Sequence, residues 1–122
     1  GTLRVLVVDD NADAADTLAM ALELLGCEAK AVYTAAAGLE QLTAFSPQVA
    51  LLDIGLPDMN GYEMARQVRA TAGGSAITLI AATGWGQSAD KQRALEAGFD
   101  HHLTKPVDFD QLQSVLALVK QF

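Results

Sequence analysis

The chain has 122 residues, 51% of them hydrophobic, with 8 Lys or Arg against 15 Asp or Glu and a net charge of -7. That length suffices for one domain, residues 1–122, with a sizeable core, and no apolar run approaches the roughly 20 residues that span a bilayer. The acidic balance argues against nucleic acid or an anionic membrane surface as partner.

The first residue is Gly1 in place of Met, which reads as an excised or tagged fragment of something longer, and no signal-peptide pattern follows it. The first apolar run, LRVLVV (3–8), reads as a strand and ends on Asp9 and Asp10. A helical stretch follows near 12–25, closed by Gly26 where a left-handed cap is expected. Lone Cys27 has no internal disulfide partner and reads as a small buried hydrophobe, in keeping with a reducing, cytoplasmic setting. EAKAVY (28–33) reads as the second strand, 35–45 as a helix, VALL (49–52) as the third strand leading into Asp53, and 61–71 as a helix. ITLIAA (77–82) reads as the fourth strand, ending at Thr83, with a helix near 88–97 and its cap at Gly98. HHL (101–103) reads as the fifth strand and runs into Thr104, Lys105 and Pro106. The last helix, 108–121, has Asp108 at its cap position and Leu112, Val115, Leu116 and Val119 on one face.

Strands that are continuously apolar are covered on both faces. Alternating strands and helices with short connections give a parallel sheet with helices on either side, a doubly wound (βα)5 domain. Ligands of such sheets bind beyond the carboxyl ends of the strands. Asp9, Asp10, Asp53, Thr83 and Lys105 all fall at that edge.

Two like charges about 4 Å apart repel by about 4 kcal/mol at an effective dielectric of 20, so three clustered carboxylates call for a cation. Hard oxygen donors select Mg²⁺, Mn²⁺ or Ca²⁺ rather than zinc, and Mg²⁺ commonly completes its shell with a phosphate. The competing role for Asp9 or Asp10 is to cap the helix starting near Ala12. With a phosphoryl group at the edge, Asp53 is the nucleophile candidate, and Lys105 and Thr83 are the cationic and hydroxyl donors to its oxygens.

VLVVDDNAD (5–13), LLDIGLPDMNGYE (51–63), AATGWG (81–86) and LTKP (103–106) together resemble the receiver domains of bacterial two-component response regulators, in the family's order and across essentially the whole chain. The resemblance implies the flavodoxin-like strand order 2-1-3-4-5 and a phospho-accepting module of a phosphorelay. It assigns Asp53 as the phospho-acceptor, Asp10, Asp53 and the Gly55 carbonyl as Mg²⁺ ligands, and Asp9 as a ligand through water. Thr83 becomes the hydroxyl that moves to the phosphate, Lys105 its ion-pair partner, and Lys105–Pro106 a cis bond. His102 takes the place of a Tyr or Phe rotamer switch. Trp85 and Gly55 occupy positions that bear on how long the phosphate lasts, Trp85 as a screen against water.

The implied donor is a histidine kinase or histidine phosphotransfer domain. The implied output is an attached domain or protein partner reached through the 88–122 face, where Ala94, Leu95, Leu118 and Phe122 offer apolar contact. Segment 94–112 is similar to receivers of hybrid histidine kinases, which makes the parent protein a candidate of that kind. No substrate turnover is expected beyond self phosphotransfer and autodephosphorylation. The alternative is a Mg²⁺-dependent phosphatase working through an aspartyl-phosphate, although Gly55 supplies no second acid. A G-x-G-x-x-A match at Gly84, Gly86 and Ala89 follows the wrong strand for a dinucleotide fold. DDNAD is the opposite of a flavin-phosphate loop. His101 and His102, adjacent on a strand, point to opposite faces and cannot share an ion.

Overall fold

The computed structural model describes residues 2–84 and 91–119. Five strands, β1 (Arg4–Val8), β2 (Glu28–Val32), β3 (Val49–Asp53), β4 (Thr78–Thr83) and β5 (His101–Thr104), alternate with helices α1 (Ala12–Leu24), α2 (Ala35–Ala44), α3 (Gly61–Ala70), α4 (Lys91–Ala97) and α5 (Phe109–Val119). The strands form one parallel sheet in the order β2-β1-β3-β4-β5. These bounds lie within a residue of those expected from the sequence, except that positions 88–90 and 120–121 of the last two helices lie outside the described residues. Among the described residues there is also a 3-10 turn at Gly74–Ala76, too short for any periodic signal.

Burial explains why the central strands read as unbroken apolar runs. Val5 and Val7 of β1 face one way and join Leu51, Ile80, Leu18, Leu22, Leu112 and Leu116 under α1 and α5. Leu6 and Val8 face the other way and join Leu52, Leu79, Met64, Val68 and Phe99 under α2, α3 and α4. Strands buried on both faces have no position for a polar residue until they leave the sheet. Edge strand β2 alternates in exposure instead.

The helix starts are capped by neighbouring polar side chains, as unpaired first-turn N–H groups require. Asn11 Oδ1 accepts from Ala14 N, Thr34 Oγ1 from Ala37 N, Asn60 Oδ1 from Tyr62 N and Asp108 Oδ1 from Gln111 N. Asp108 is thus the cap expected, whereas at α1 the cap is Asn11 and neither Asp9 nor Asp10. Gly26 and Gly98 have φ of 90° and 110°, the left-handed values expected where helices end.

One arginine fastens the far end of the α3–α4 layer. The Arg69 guanidinium donates to the carbonyls of Gly74, Ile77 and Gly98 and to the Asp100 carboxylate. Asp100 also accepts from Leu79 N, so α3, the turn before β4 and the turn before β5 meet on one planar fork. Arg69→Ala removes the guanidinium's hydrogen bonds to these part-buried carbonyls and to Asp100 and is expected to cost about 2–4 kcal/mol. Arg69→Lys, a point charge without the fork, is expected to recover less than half. Urea midpoints of the three proteins check both.

Candidate functional site

Parallel strands end together, and the register here brings their carboxyl ends to one edge: Val8 lies beside Leu52, Asp53 beside Ala82, and Thr83 beside Thr104. The residues that follow converge. One carboxylate oxygen from each of Asp9, Asp10 and Asp53 lies within 4.8 Å of the others. Asp9 is 2% exposed and Asp53 6%, while Asp10 is exposed.

Lys105 offsets the charge of the two buried acids. Its Nζ lies 2.9 Å from Asp9 Oδ2 and 3.1 Å from Asp53 Oδ1. Burial alone would lower the lysine pKa, but the bonds to Asp9 and Asp53 and the charges of both acids outweigh it and raise the pKa above the ordinary value. Both oxygens of Asp9 are engaged, since Oδ1 accepts from Asn11 N. On Asp53 both contacts fall on Oδ1, the second being Gly55 N at 3.1 Å. Among the described residues, Asp53 Oδ2 and the Asp10 carboxylate keep their lone pairs for something else. This donor set of hard oxygens, partly exposed at one corner, suits a small divalent cation.

Thr83 is buried and its Oγ1 sits 2.9 Å from His102 Nε2. The sequence places Thr83 as a donor toward the carboxylate edge, and the structure pairs that hydroxyl with the imidazole. The Thr83 carbonyl accepts from Lys105 N, and the Lys105–Pro106 bond is cis. Pro106 lines a cleft of about 530 Å³ between α1 and the segment after β5, which opens beside Asp9 and Lys105.

The segment after Asp53 carries features that sequence reasoning missed. A Cβ on Gly61 would lie 2.6 Å from Ile54 Cα and 2.9 Å from the Asp53 carbonyl, so only glycine lets α3 start against the acidic strand end. Asp58 Oδ1 accepts from Ala35 N at 3.1 Å and Oδ2 from Ala36 N at 3.2 Å. The Ala35 bond is the main reason its carboxyl lies below the ordinary range. An NG pair beginning a helix marks Gly61 in hindsight; nothing local marks Asp58.

The sequence profile of the response regulator receiver domain family matches residues 5–117. The chain belongs to that family. It is 36% identical over 107 residues to the transcriptional regulatory protein KdpE of Mycobacterium tuberculosis, covering 88% of this chain and 46% of that one. It is 32% identical over 116 residues to the sensor histidine kinase RcsC of Salmonella typhi, covering 95% of this chain and 12% of that one. The chain therefore spans less than half the length of both relatives. A CheY-like response regulator receiver domain protein of Methanospirillum hungatei JF-1 superposes with a TM-score of 0.87 at 30% identity, over 99% of this chain and 96% of that one. Receiver domains work in two-component systems, and Mg²⁺ and phosphoaspartate are typical of them.

Within this receiver, Trp85 and Phe122 lie outside the described residues. Leu95 and Leu118 are 65% and 60% exposed, whereas Ala94 is half-buried and packs into the core; its expected surface contact is ordinary packing. No helix among the described residues is long and apolar enough to cross a membrane.

Removing the Lys105 ammonium leaves Asp9 and Asp53 buried against each other. Lys105→Met is expected to lower stability at pH 7 by about 1–3 kcal/mol in urea denaturation without divalent cation. Because the folded lysine pKa is raised, the ion pairs contribute fully below the unfolded value and are lost as pH rises through the folded one. The gap between wild type and variant is thus expected to close only above the ordinary lysine value of 10.5.

Proposed function

We propose that this receiver accepts a phosphoryl group on Asp53 from a phosphohistidine, with Mg²⁺ held by Asp10, the Asp53 carboxylate and the Gly55 carbonyl, and by Asp9 through water. The observation that carries the reading is the single edge on which Asp9, Asp10, Asp53 and Lys105 meet. The engagement of both Asp9 oxygens supports its indirect part, and the uncontacted Oδ2 of Asp53 supports attack by that atom.

In the transfer, Asp53 Oδ2 forms a P–O bond as the P–N bond to the donor imidazole breaks, and the electron pair of that bond leaves with the imidazole nitrogen. The donor is a histidine kinase or histidine phosphotransfer domain. Bound Mg²⁺ supplies charge neutralisation to the phosphoryl oxygens. Lys105 shifts part of its charge from the carboxylates to those oxygens, and Thr83 donates its hydroxyl to another.

Thr83 cannot turn without altering its bond to His102. If the imidazole accepts at Nε2, the threonine proton must leave it to reach the phosphate. If Nε2 carries the proton, the imidazole donates to Oγ1 and the threonine proton is already available. Either way His102 takes the part of the switch residue, and its movement reaches the face of β5 and α5 near Ser114 and Leu118. That face, with exposed Leu95 and Leu118, is the output surface of this reading. Phosphate then shifts a population between two arrangements.

Incubation with acetyl phosphate and Mg²⁺ is expected to add one phosphoryl group to the intact mass. Asp53→Asn and an EDTA-treated sample are expected to add none. A gain that survives in Asp53→Asn rules out Asp53 as acceptor, and a gain that survives EDTA rules out the metal.

A further inference from the structure

Beyond Ile54, whose N–H still donates to the Ala82 carbonyl of the neighbouring strand, the segment 55–60 holds itself mainly by short-range bonds: Gly55 N to Asp53 Oδ1, and Asn60 Oδ1 from Tyr62 N. Leu56 is buried and Met59 packs against the second core cluster. Among the described residues, the hydrogen bonds that tie this segment to a different helix are those of Asp58. Its two oxygens take the first two backbone donors of α2, Ala35 N and Ala36 N, while Thr34 Oγ1 takes the third. Asp58, 23 positions beyond Ala35, thus completes the cap that Thr34 begins. The helix start favours a negative charge there, and a two-point contact fixes the carboxylate in orientation as well as place.

We propose that Asp58 is a positioning residue for the metal site, fastening the far end of the 55–60 segment to α2 so that the Gly55 carbonyl is already ordered when Mg²⁺ binds. The inference rests on the Mg²⁺ reading above. A segment released from α2 samples other conformations, and metal binding then carries the ordering cost that the latch otherwise meets in advance. Asp58 touches neither the cation nor the phosphoryl group.

The test is an NMR titration of the whole chain with MgCl₂ at 0.15 M salt, comparing wild type, Asp58→Ala, Asp58→Asn and Thr34→Ala. Asp58→Ala is expected to weaken Mg²⁺ about three- to ten-fold, less than the roughly ten- to hundred-fold of residues that bond a metal ligand directly. Asp58→Asn, which keeps one acceptor oxygen, is expected to fall between it and wild type. Thr34→Ala weakens the same helix start without touching the segment; it is expected to lose stability and keep wild-type Mg²⁺ affinity. In acetyl phosphate reactions, Asp58→Ala is expected to need more Mg²⁺ for half-maximal phosphorylation while reaching the same plateau. Unchanged affinity in Asp58→Ala overturns the proposal, as does an equal loss in Thr34→Ala. Equal losses in the Asn and Ala variants trace the effect to missing charge and overturn it too. If wild type itself shows no saturable Mg²⁺ binding, the metal reading fails first and takes this inference with it.

Discussion

The contact of Lys105 with Asp9 and Asp53 is the constraint around which the molecule is arranged. A parallel sheet covered on both faces delivers all its carboxyl ends to one edge, so acids placed at two strand ends are brought together and buried. Burial of like charges is unfavourable without a counter-charge. The counter-charge comes from β5, which is separated from β3 by β4, so a long flexible side chain has to reach over an intervening strand that ends in the small residue Thr83. Lysine suits this span because its charge sits at the end of four methylenes and needs no fixed plane. Arginine is used where a plane is wanted, at the opposite end of the fold, with Arg69 spread over three carbonyls and a carboxylate.

The two ends of the sheet therefore differ in kind. At the Arg69 end the polar groups are paired with one another and with a rigid fork. Those contacts have one good arrangement. At the Lys105 end the partners are, on the proposed reading, exchangeable: an ammonium on two carboxylates and a hydroxyl on an imidazole, each of which would turn to phosphate, and a carboxylate with one oxygen uncontacted among the described residues. A region that switches needs alternatives of similar energy, and they are concentrated at this edge.

Much of this is legible in the sequence alone. Continuous apolar runs mark strands covered on both faces, Gly26 and Gly98 mark helix ends, and the parallel topology sends Asp9, Asp10, Asp53 and Lys105 to one edge without any knowledge of side-chain positions. What stayed hidden depended on contacts between distant segments or on a choice among equals. Asp9, Asp10 and Asn11 are all competent caps, and only the backbone geometry selects Asn11. Asp58 acts on residues 22 and 23 positions away, and Arg69 reaches Gly98 and Asp100 29 and 31 positions away, where periodicity carries no information. The Thr83–His102 bond depends on which rotamers two adjacent strands permit. Gly61 is constrained by the Asp53 carbonyl, a close approach visible only once α3 is packed.

Charge at the edge explains why cation and phosphoryl group belong together on the proposed reading. Three carboxylates and one ammonium leave a formal charge of -2, set in a chain that is itself acidic. A phosphodonor approaching that edge meets repulsion before any bond can form. A divalent cation held by these carboxylates would bring the formal charge to zero and would neutralise charge on an incoming phosphoryl group. On the same reading, the phosphoryl oxygens would compete with Asp9 for Lys105 and with His102 for Thr83. Both rivals are local and neither needs the core to repack, so the cost of switching stays within the scale of a few hydrogen bonds, on the order of 1 kcal/mol each. The buried layers beneath, with Val5, Leu6, Val7 and Val8 fully enclosed, keep the edge in register while those partners exchange.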